Sequence, residues 1–265
     1  MSHFARPLIE PLSGPIPRET ETNGCFETMR AYGGHIFRLE FHLDRLYGSA
    51  MFLGTPITHD RAHMARQLTS ALARSGLEEA VVRIALIPQR TGGVAKPHIV
   101  VQPVNVPPPS AYERGIRVAV VPTKKFSVGS IDPQAKYSAR LGSVLAVADA
   151  QLRGVDEALF MDEIGSVTES TASNFGIVVR GAVLTPPCWL GLLRGVTRDV
   201  VKELAADLHL PYRETPLTRH ELYNADEAFM TSTIKEIIYN SYHLVASFAF
   251  SLICRGSNMM CAIEV

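Results

Sequence analysis

The segment PVNVPPPSAYERG, Pro103 to Gly115, is the strongest constraint on how this chain can fold. Its consecutive prolines remove backbone donors and fix φ, so no sheet can run through it and the chain is held extended. We place a domain boundary there, with residues 104–114 as an inter-domain linker. A small α+β domain then covers 23–103 and a larger domain covers 115–265. A chain of 265 residues can bury one large core or two modest ones, which agrees with that division.

Ahead of the first domain, residues 1–22 carry four prolines and no clear period, and read as an extended arm. Order is expected from Asn23. Gly24 to Tyr32 has the composition of a strand, and GGHIF after it reads as a turn into a second strand. Helical spacing of apolar residues over Phe41–Met51 and again over Arg61–Ser75 predicts two helices. AVVRIALI and HIVVQPV are apolar runs of strand length.

Past the prolines, GIRVAVVP reads as a strand and RLGSVLAVADAQLRG as a helix ended by Gly154. DEALFMDEIGSVTES predicts two strands about a turn at Gly165, and FGIVVRGAVLTP turns at Arg180 and Gly181. Thr197–Leu208 is an amphipathic helix, and DEAFMTST a strand followed by a turn.

Basic and acidic residues balance at 26 each, so no net field favours nucleic acid or an anionic membrane. The longest apolar stretch, roughly Leu244 to Cys254, is shorter than the ~20 residues that cross a bilayer. Cys25, Cys188, Cys254 and Cys261 show no CxxC pairing, and the N-terminus has no apolar signal core. The expectation is reduced thiols and the cytoplasm, with neither a zinc site nor a disulfide scaffold.

Three elements carry chemistry. Lys136, in AKYSARL, follows the turn signal Asp132-Pro133 and sits on a strand or loop ahead of a helix. Glu169 comes thirty-three residues later in GSVTESTASNFGIV, where Ser and Thr hydroxyls can fix its orientation. Gly195-Val196-Thr197-Arg198 opens the amphipathic helix, so its backbone N–H groups and the helix dipole offer an anion site, with the Thr197 hydroxyl beside them. An amine, a carboxylate and a phosphate cradle are what pyridoxal 5'-phosphate requires. Lys136 can form a Schiff base with its aldehyde and, once displaced by an amino acid, act as general base at the substrate alpha carbon. Glu169 can keep the ring nitrogen protonated; its rivals Asp162 and Glu163 fall at a solvent-facing turn. Arg45 and Thr233 are further candidate phosphate donors.

These residues resemble a known family. GCFETMRAYGGHIFRLEFHLDRLYGSA, the Lys136 segment, VDEALFMDEIGSVTESTASNFGIV, LTPP, GVTRDVVKELA and NADEAFMTSTIKEI follow the order and spacing of the class IV aminotransferases, from about Gly24 to Ile238. That family includes branched-chain and D-amino acid aminotransferases and aminodeoxychorismate lyases. The resemblance implies fold type IV, an α+β arrangement of two domains with pyridoxal phosphate between them, usually as a homodimer. It implies an enzyme that moves an amino group between an amino acid and a 2-oxo acid. By position, Lys136 is the Schiff-base lysine and Glu169 the ring-nitrogen partner. Arg45, Val196, Thr197 and Thr233 fall on phosphate-contact positions, and Arg83, Phe26 and Tyr32 on substrate-side positions.

The chain also departs from the family pattern. Branched-chain enzymes usually have a tyrosine five residues after the lysine, where this chain has Leu141; its KxxxRL form is closer to the lyase and D-amino acid branches. Pyruvate elimination from aminodeoxychorismate is therefore the alternative activity. The Pro-rich arm does not supply the DRGF-like segment that usually precedes the FET motif. After Ile238 the family continues with a Pro-Val strand, a Gly-rich turn and a closing helix, whereas this chain reads YNSYHLVASFAFSLICRGSNMMCAIEV. That tail, atypical from about residue 239, is expected to leave the large domain incompletely closed and less stable, and a non-catalytic relative is the further alternative.

Overall fold

The computed structural model describes residues 24–88, 93–124, 132–138 and 141–239. The N-terminal arm, Arg140 of the KxxxRL motif, and the tail with Cys254 and Cys261 lie outside the described residues. So do Leu244–Cys254.

The first half is a four-stranded antiparallel sheet with two helices against it. Its strands are β1 (Cys25–Tyr32), β2 (His35–Ile36), β3 (Ala80–Pro88) and β4 (Ala95–Pro103), in the order β2-β1-β3-β4. The β1–β2 hairpin turns on Gly33 and Gly34, at φ 52° and 78°. A two-residue hairpin of type I′ takes positive φ at both central positions, which the Gly-Gly pair supplies without strain. Helix α1 (Leu39–Phe52) and helix α2 (Arg61–Ser75) pack on the sheet, and α2 is capped by the Asp60 side chain on the His63 N–H. One face of β1, with Cys25, Met29 and Ala31, closes over Leu43, Leu46, Met64 and Leu68 from the two helices. At roughly 1.5–3 kcal/mol per buried large apolar side chain, this packing fixes the register of β1. The opposite face of β1 carries Phe26, Arg30 and Tyr32 toward the second half.

The proline segment is only partly extended. Pro108 is in the β region, but α3 (Pro109–Arg114) is a short helix, which corrects the expectation of an extended linker over 104–114. A proline is tolerated at a first helical position because its missing N–H would have had no intrahelical partner. Helix α3 packs back through Tyr112 onto the second half.

The second half is a branched sheet of nine strands. A path runs β10 (Tyr212–Glu214), β9 (Ala182–Thr185), β8 (Asn174–Val179), β7 (Ser166–Ser170), β6 (Glu157–Met161) and β5 (Val118–Val120). Strand β11 (Leu217–Thr218) pairs with β7, β12 (Glu227–Ser232) pairs with β8, and β13 (Glu236–Tyr239) pairs with β12. Helices α4 (Leu141–Leu152), α5 (Val196–Asp207) and α6 (Arg219–Tyr223) complete it. α5 presents Val200, Val201 and Ala205 inward, the amphipathic stripe expected for 197–208. α4 differs: Ala146 and Ala150 face the sheet, while Leu141, Val144 and Leu145 are exposed. Among the described residues no helix is long and apolar enough to cross a membrane, and no cluster of His, Cys, Asp and Glu could hold a metal.

Candidate active site

The two halves meet at the Lys136 segment, which belongs to neither sheet. It is fastened to the start of β1: the Phe26 N–H donates to the Lys136 carbonyl at 3.1 Å, and the Ser138 N–H to the Gly24 carbonyl at 2.9 Å. The Ser49 hydroxyl on α1 accepts from the Lys136 N–H at 2.9 Å. A cavity of about 340 Å³ opens beside this segment. Phe26, Arg45, Lys136, Glu169, Val196, Thr197 and Thr233, spread over more than two hundred positions of sequence, all line it. The Lys136 Nζ lies 4.9 Å from the centroid of the Phe26 ring.

Glu169 reaches the cavity from β7, with only 8% of its surface exposed. Its Oε2 accepts from the Asn174 Nδ2 and from the Leu193 N–H, each at 3.0 Å. Asn174 stands directly opposite Glu169 across the β7–β8 pairing, and its amide also donates to the Leu193 carbonyl at 2.7 Å. The carboxylate is therefore held in one orientation by donors on two elements.

The other wall is an anion-binding corner. α5 starts after Gly195 without a side-chain cap, so its first-turn N–H groups have no intrahelical acceptor. Gly195 is required by space: a Cβ there would lie 1.9 Å from the Asn174 Oδ1. Two buried hydroxyls on the cavity wall, Ser173 Oγ and Thr231 Oγ1, have no hydrogen-bond partner in the protein. Buried hydroxyls are ordinarily satisfied, so these two suit a polar ligand.

Arg45 is fixed from behind. Its Nε and Nη2 donate to the two Glu27 carboxylate oxygens at 2.6 and 2.8 Å, and its Nη1 to the Arg194 carbonyl at 2.7 Å. The second Glu27 oxygen also meets the His42 Nδ1 at 2.8 Å. Burial alone would raise the Glu27 carboxyl, but the Arg45 guanidinium and His42 outweigh it and hold it at about 2. Burial pushes His42 in the other direction, below the ordinary imidazole value, against the pull of Glu27.

Arg83 and Tyr32 are not among the residues that line the cavity. The Arg83 guanidinium lies 4.9 Å from the centroid of the Phe26 ring. The Tyr32 hydroxyl donates to Glu236 Oε1 at 2.8 Å, and burial together with the Glu236 carboxylate pushes its pKa well above the ordinary phenol range.

Sequence reasoning passed over Asn174 and Glu27. Asn174 was legible in TESTASN, where a hairpin closing after Ser170 brings residue 174 back across from 169. Glu27 was legible too: in CFETMRA it shares the face of Cys25, Met29 and Ala31, and a carboxylate on a buried face needs a cation. α1 supplies His42 and Arg45 one turn apart.

Comparison with known proteins gives this arrangement its place. A family model described as amino-transferase class IV matches residues 24–239. A protein of Methanocaldococcus jannaschii with the provisional name branched-chain-amino-acid aminotransferase is 38% identical over 225 residues, 82% of this chain and 77% of that protein. The branched-chain-amino-acid aminotransferase of Pseudomonas aeruginosa is 32% identical over 81% of this chain and 74% of its own length. Among solved structures, a branched-chain aminotransferase from Thermoproteus uzoniensis, crystallised with norvaline, superposes with a TM-score of 0.83 at 28% identity, covering 91% of this chain and 86% of that one. The two-domain α+β architecture is thus fold type IV, and the chain belongs to the class IV aminotransferases, a family of pyridoxal-phosphate-dependent transaminases.

Proposed function

We propose that this chain binds pyridoxal 5'-phosphate in the cavity beside Lys136 and transfers an amino group between a branched-chain or D-configured amino acid and a 2-oxo acid. The observation that carries the reading is the convergence of Lys136, the oriented Glu169 carboxylate and the open N-terminus of α5 on one cavity. The partnerless Ser173 and Thr231 hydroxyls in its wall fit a phosphorylated, polar guest. When bound, pyridoxal phosphate supplies an aldehyde for an amine and a ring that withdraws electrons from the carbon bearing that amine.

The chain's own residues do the rest. Lys136 would hold the cofactor through Nζ, with loss of water from the aldehyde, and once an incoming amino acid displaces it, its free amine would take the proton from the substrate alpha carbon as general base. Its backbone is tied at both N–H and carbonyl to α1 and β1, so the amine changes partner without the segment moving. Glu169, its Oε2 anchored by Asn174 and Leu193, would keep a proton on the ring nitrogen. The residues that would hold the phosphate are Val196 and Thr197 through their N–H groups, Thr197 and Thr233 through their hydroxyls, and Arg45, all of which line the cavity. Glu27 remains ionised and prevents Arg45 from swinging away. On the substrate side Phe26 is the wall. Arg83 stands beside the Phe26 ring and Tyr32 is held on Glu236, so both act from outside the cavity as described.

The domain division at 104–114 is retained in this reading, with α3 as part of the connection. A homodimer completes the site: Leu141 and Leu145, exposed at 67% and 53%, line the cavity and adjoin exposed Val144 on α4. A partner copy covers that face. We place the enzyme in the cytoplasm, where the free thiols of Cys25 and Cys188 are stable.

The test is an absorption spectrum of the purified protein with pyridoxal phosphate, before and after adding a panel of L- and D-amino acids. A visible band that bleaches with one stereochemical class supports the reading, and no band in a folded sample overturns it. Leu141 favours one second reading. It puts no hydroxyl where branched-chain enzymes have a tyrosine, and lyases share that feature. Pyruvate released from aminodeoxychorismate, without transfer to a 2-oxo acid, would select it.

A further inference from the structure

The end of β12 and the turn that follows it carry three consecutive hydroxyl residues, Thr231, Ser232 and Thr233, and all three line the cavity. The Ser232 hydroxyl accepts from the Lys235 N–H at 3.2 Å, while the Thr231 hydroxyl has no protein partner. The segment is further held by Lys235 and Glu236, two and three residues beyond Thr233, which are gripped from opposite halves of the molecule.

Lys235 points into the larger half. Only 7% of it is exposed, and its Nζ donates to the Glu157 Oε2 at 3.0 Å. Glu157, on β6 and 3% exposed, accepts through its other oxygen from the Thr171 hydroxyl at 2.5 Å and from the Ala158 N–H at 3.2 Å. Thr171 belongs to the turn between Glu169 and Asn174, on another wall of the cavity. A single buried ion pair thus spans from one hydroxyl-bearing turn to the other. Glu236 points toward the smaller half, where its Oε1 accepts from Arg30 at 2.6 Å and Tyr32 at 2.8 Å. Arg30 also donates to the Ile234 carbonyl, and Tyr112 on α3 to the Lys235 carbonyl. Glu236 sits at φ 56°, a backbone conformation disfavoured for a residue with a Cβ, which persists where the surroundings over-determine it.

We propose that Lys235 and Glu157 are positioning residues: their ion pair sets the spacing between the 171–173 turn and the 231–233 segment at the end of β12, and so aims the Ser173, Thr231 and Thr233 hydroxyls at the bound ligand. Burying a charge pair is costly unless every bond is made, and here both Glu157 oxygens are used. The inference rests on the proposed function for what the hydroxyls bind, but the geometry it concerns exists in the protein before any ligand enters.

The experiment has two arms. In the cofactor-free protein, amide hydrogen exchange is followed over 168–174 and 229–236. Lys235→Met is expected to speed exchange at both turns by about tenfold or more, with the core of β1 and β3 unchanged. The double variant Lys235→Met with Glu157→Gln leaves no lone buried charge, and it answers the question if the single variant does not fold. In the second arm pyridoxal phosphate affinity, kcat and KM are measured. Weaker cofactor binding and raised KM, by about tenfold, are expected in the double variant at wild-type melting temperature, with Lys235→Arg recovering most of the loss. Wild-type exchange and wild-type affinity in the folded double variant overturn the inference. If the wild-type protein itself binds no pyridoxal phosphate, the proposed function fails, while the exchange arm still decides whether the pair sets the two turns.

Discussion

The two sheets bury different kinds of residue. The four-stranded sheet closes with α1 and α2 over Met29, Leu43, Leu46, Met64, Leu68 and their neighbours, and the carboxylate and imidazole it buries, Glu27 and His42, answer each other. In the nine-stranded sheet every residue of β7, Ser-Val-Thr-Glu-Ser, is buried, and Ser173, Asn174, Thr197, Thr231 and Lys235 are buried around it. A hydroxyl out of water without a partner costs roughly 1–3 kcal/mol, whereas a buried leucine contributes about that much in the other direction. The smaller half is therefore built to stay folded and to hold β1 in place. The larger half gives up stability to keep polar groups dry and aimed at one cavity.

If that contrast is right, single substitutions in the two regions should fail in different ways. The largest effect is expected for Lys136→Ala, which removes the amine to which the proposed function assigns the chemistry. Turnover and the visible band with pyridoxal phosphate should both disappear, while the melting temperature stays near wild type, because the segment is tied to its neighbours through backbone groups. Retention of either signal would overturn the assignment. Leu46→Ala is the converse. The side chain is fully buried in the smaller half's core, and its loss should cost about 2–5 kcal/mol in urea unfolding with kcat little changed in the fraction that remains folded. A large loss of kcat there would mean that the scaffold and the site are not separable.

Acid sharpens the same comparison. The Glu27 carboxyl is depressed from the ordinary 4.5 to about 2, so its contribution is complete above the ordinary value and is lost as pH falls toward about 2. A shift of that size is on the order of 3 kcal/mol. His42, pushed below the ordinary imidazole value, acts in the same direction: the unfolded chain takes up its proton first, so stability already falls as pH drops through the ordinary imidazole range. Urea midpoints followed from neutral pH to pH 3 should fall progressively. Glu27→Gln should flatten the most acidic part of that curve, and an unchanged slope would show that Glu27 is not its source.

Most of the first half was legible in sequence because burial there follows apolar period: Arg61–Ser75 is read and found with the same ends, and AVVRIALI becomes β3. The linker was misjudged at Pro109, since a proline run carries no signal that distinguishes extended chain from the first turn of a helix. In the second half, the strand at 166–170 was placed by its hairpin with 157–161, yet its burial on every residue was invisible, because Ser, Thr and Glu carry no apolar period. Lys136, Glu169 and the α5 N-terminus were singled out through chemistry, and the structure brings them to one cavity. Their supports, Asn174, Glu157 and Lys235, form contacts that span 5, 14 and 78 positions, and no local pattern reports the longest of these.

Gly195 gives the smallest and most specific prediction. Its backbone, at φ −76° and ψ 134°, is one that any residue adopts, so glycine is not required by conformation. It is required because the Asn174 Oδ1 occupies the place of a Cβ at 1.9 Å, with Asn174 Cγ at 3.1 Å. In Gly195→Ala the asparagine must move, and it cannot do so without loosening its bonds to Glu169 and to the Leu193 carbonyl. Overpacking of this kind costs about 1–3 kcal/mol, less than the Leu46 cavity. The rate should nonetheless fall further than stability does, because the displaced group is the one that orients Glu169. Pairing Gly195→Ala with Asn174→Ala tests the route: the smaller side chain makes room for the new methyl, so the double variant should be no slower than Asn174→Ala alone. Rate losses that simply multiply would show that Gly195 acts on the site through the α5 N-terminus instead of through Asn174.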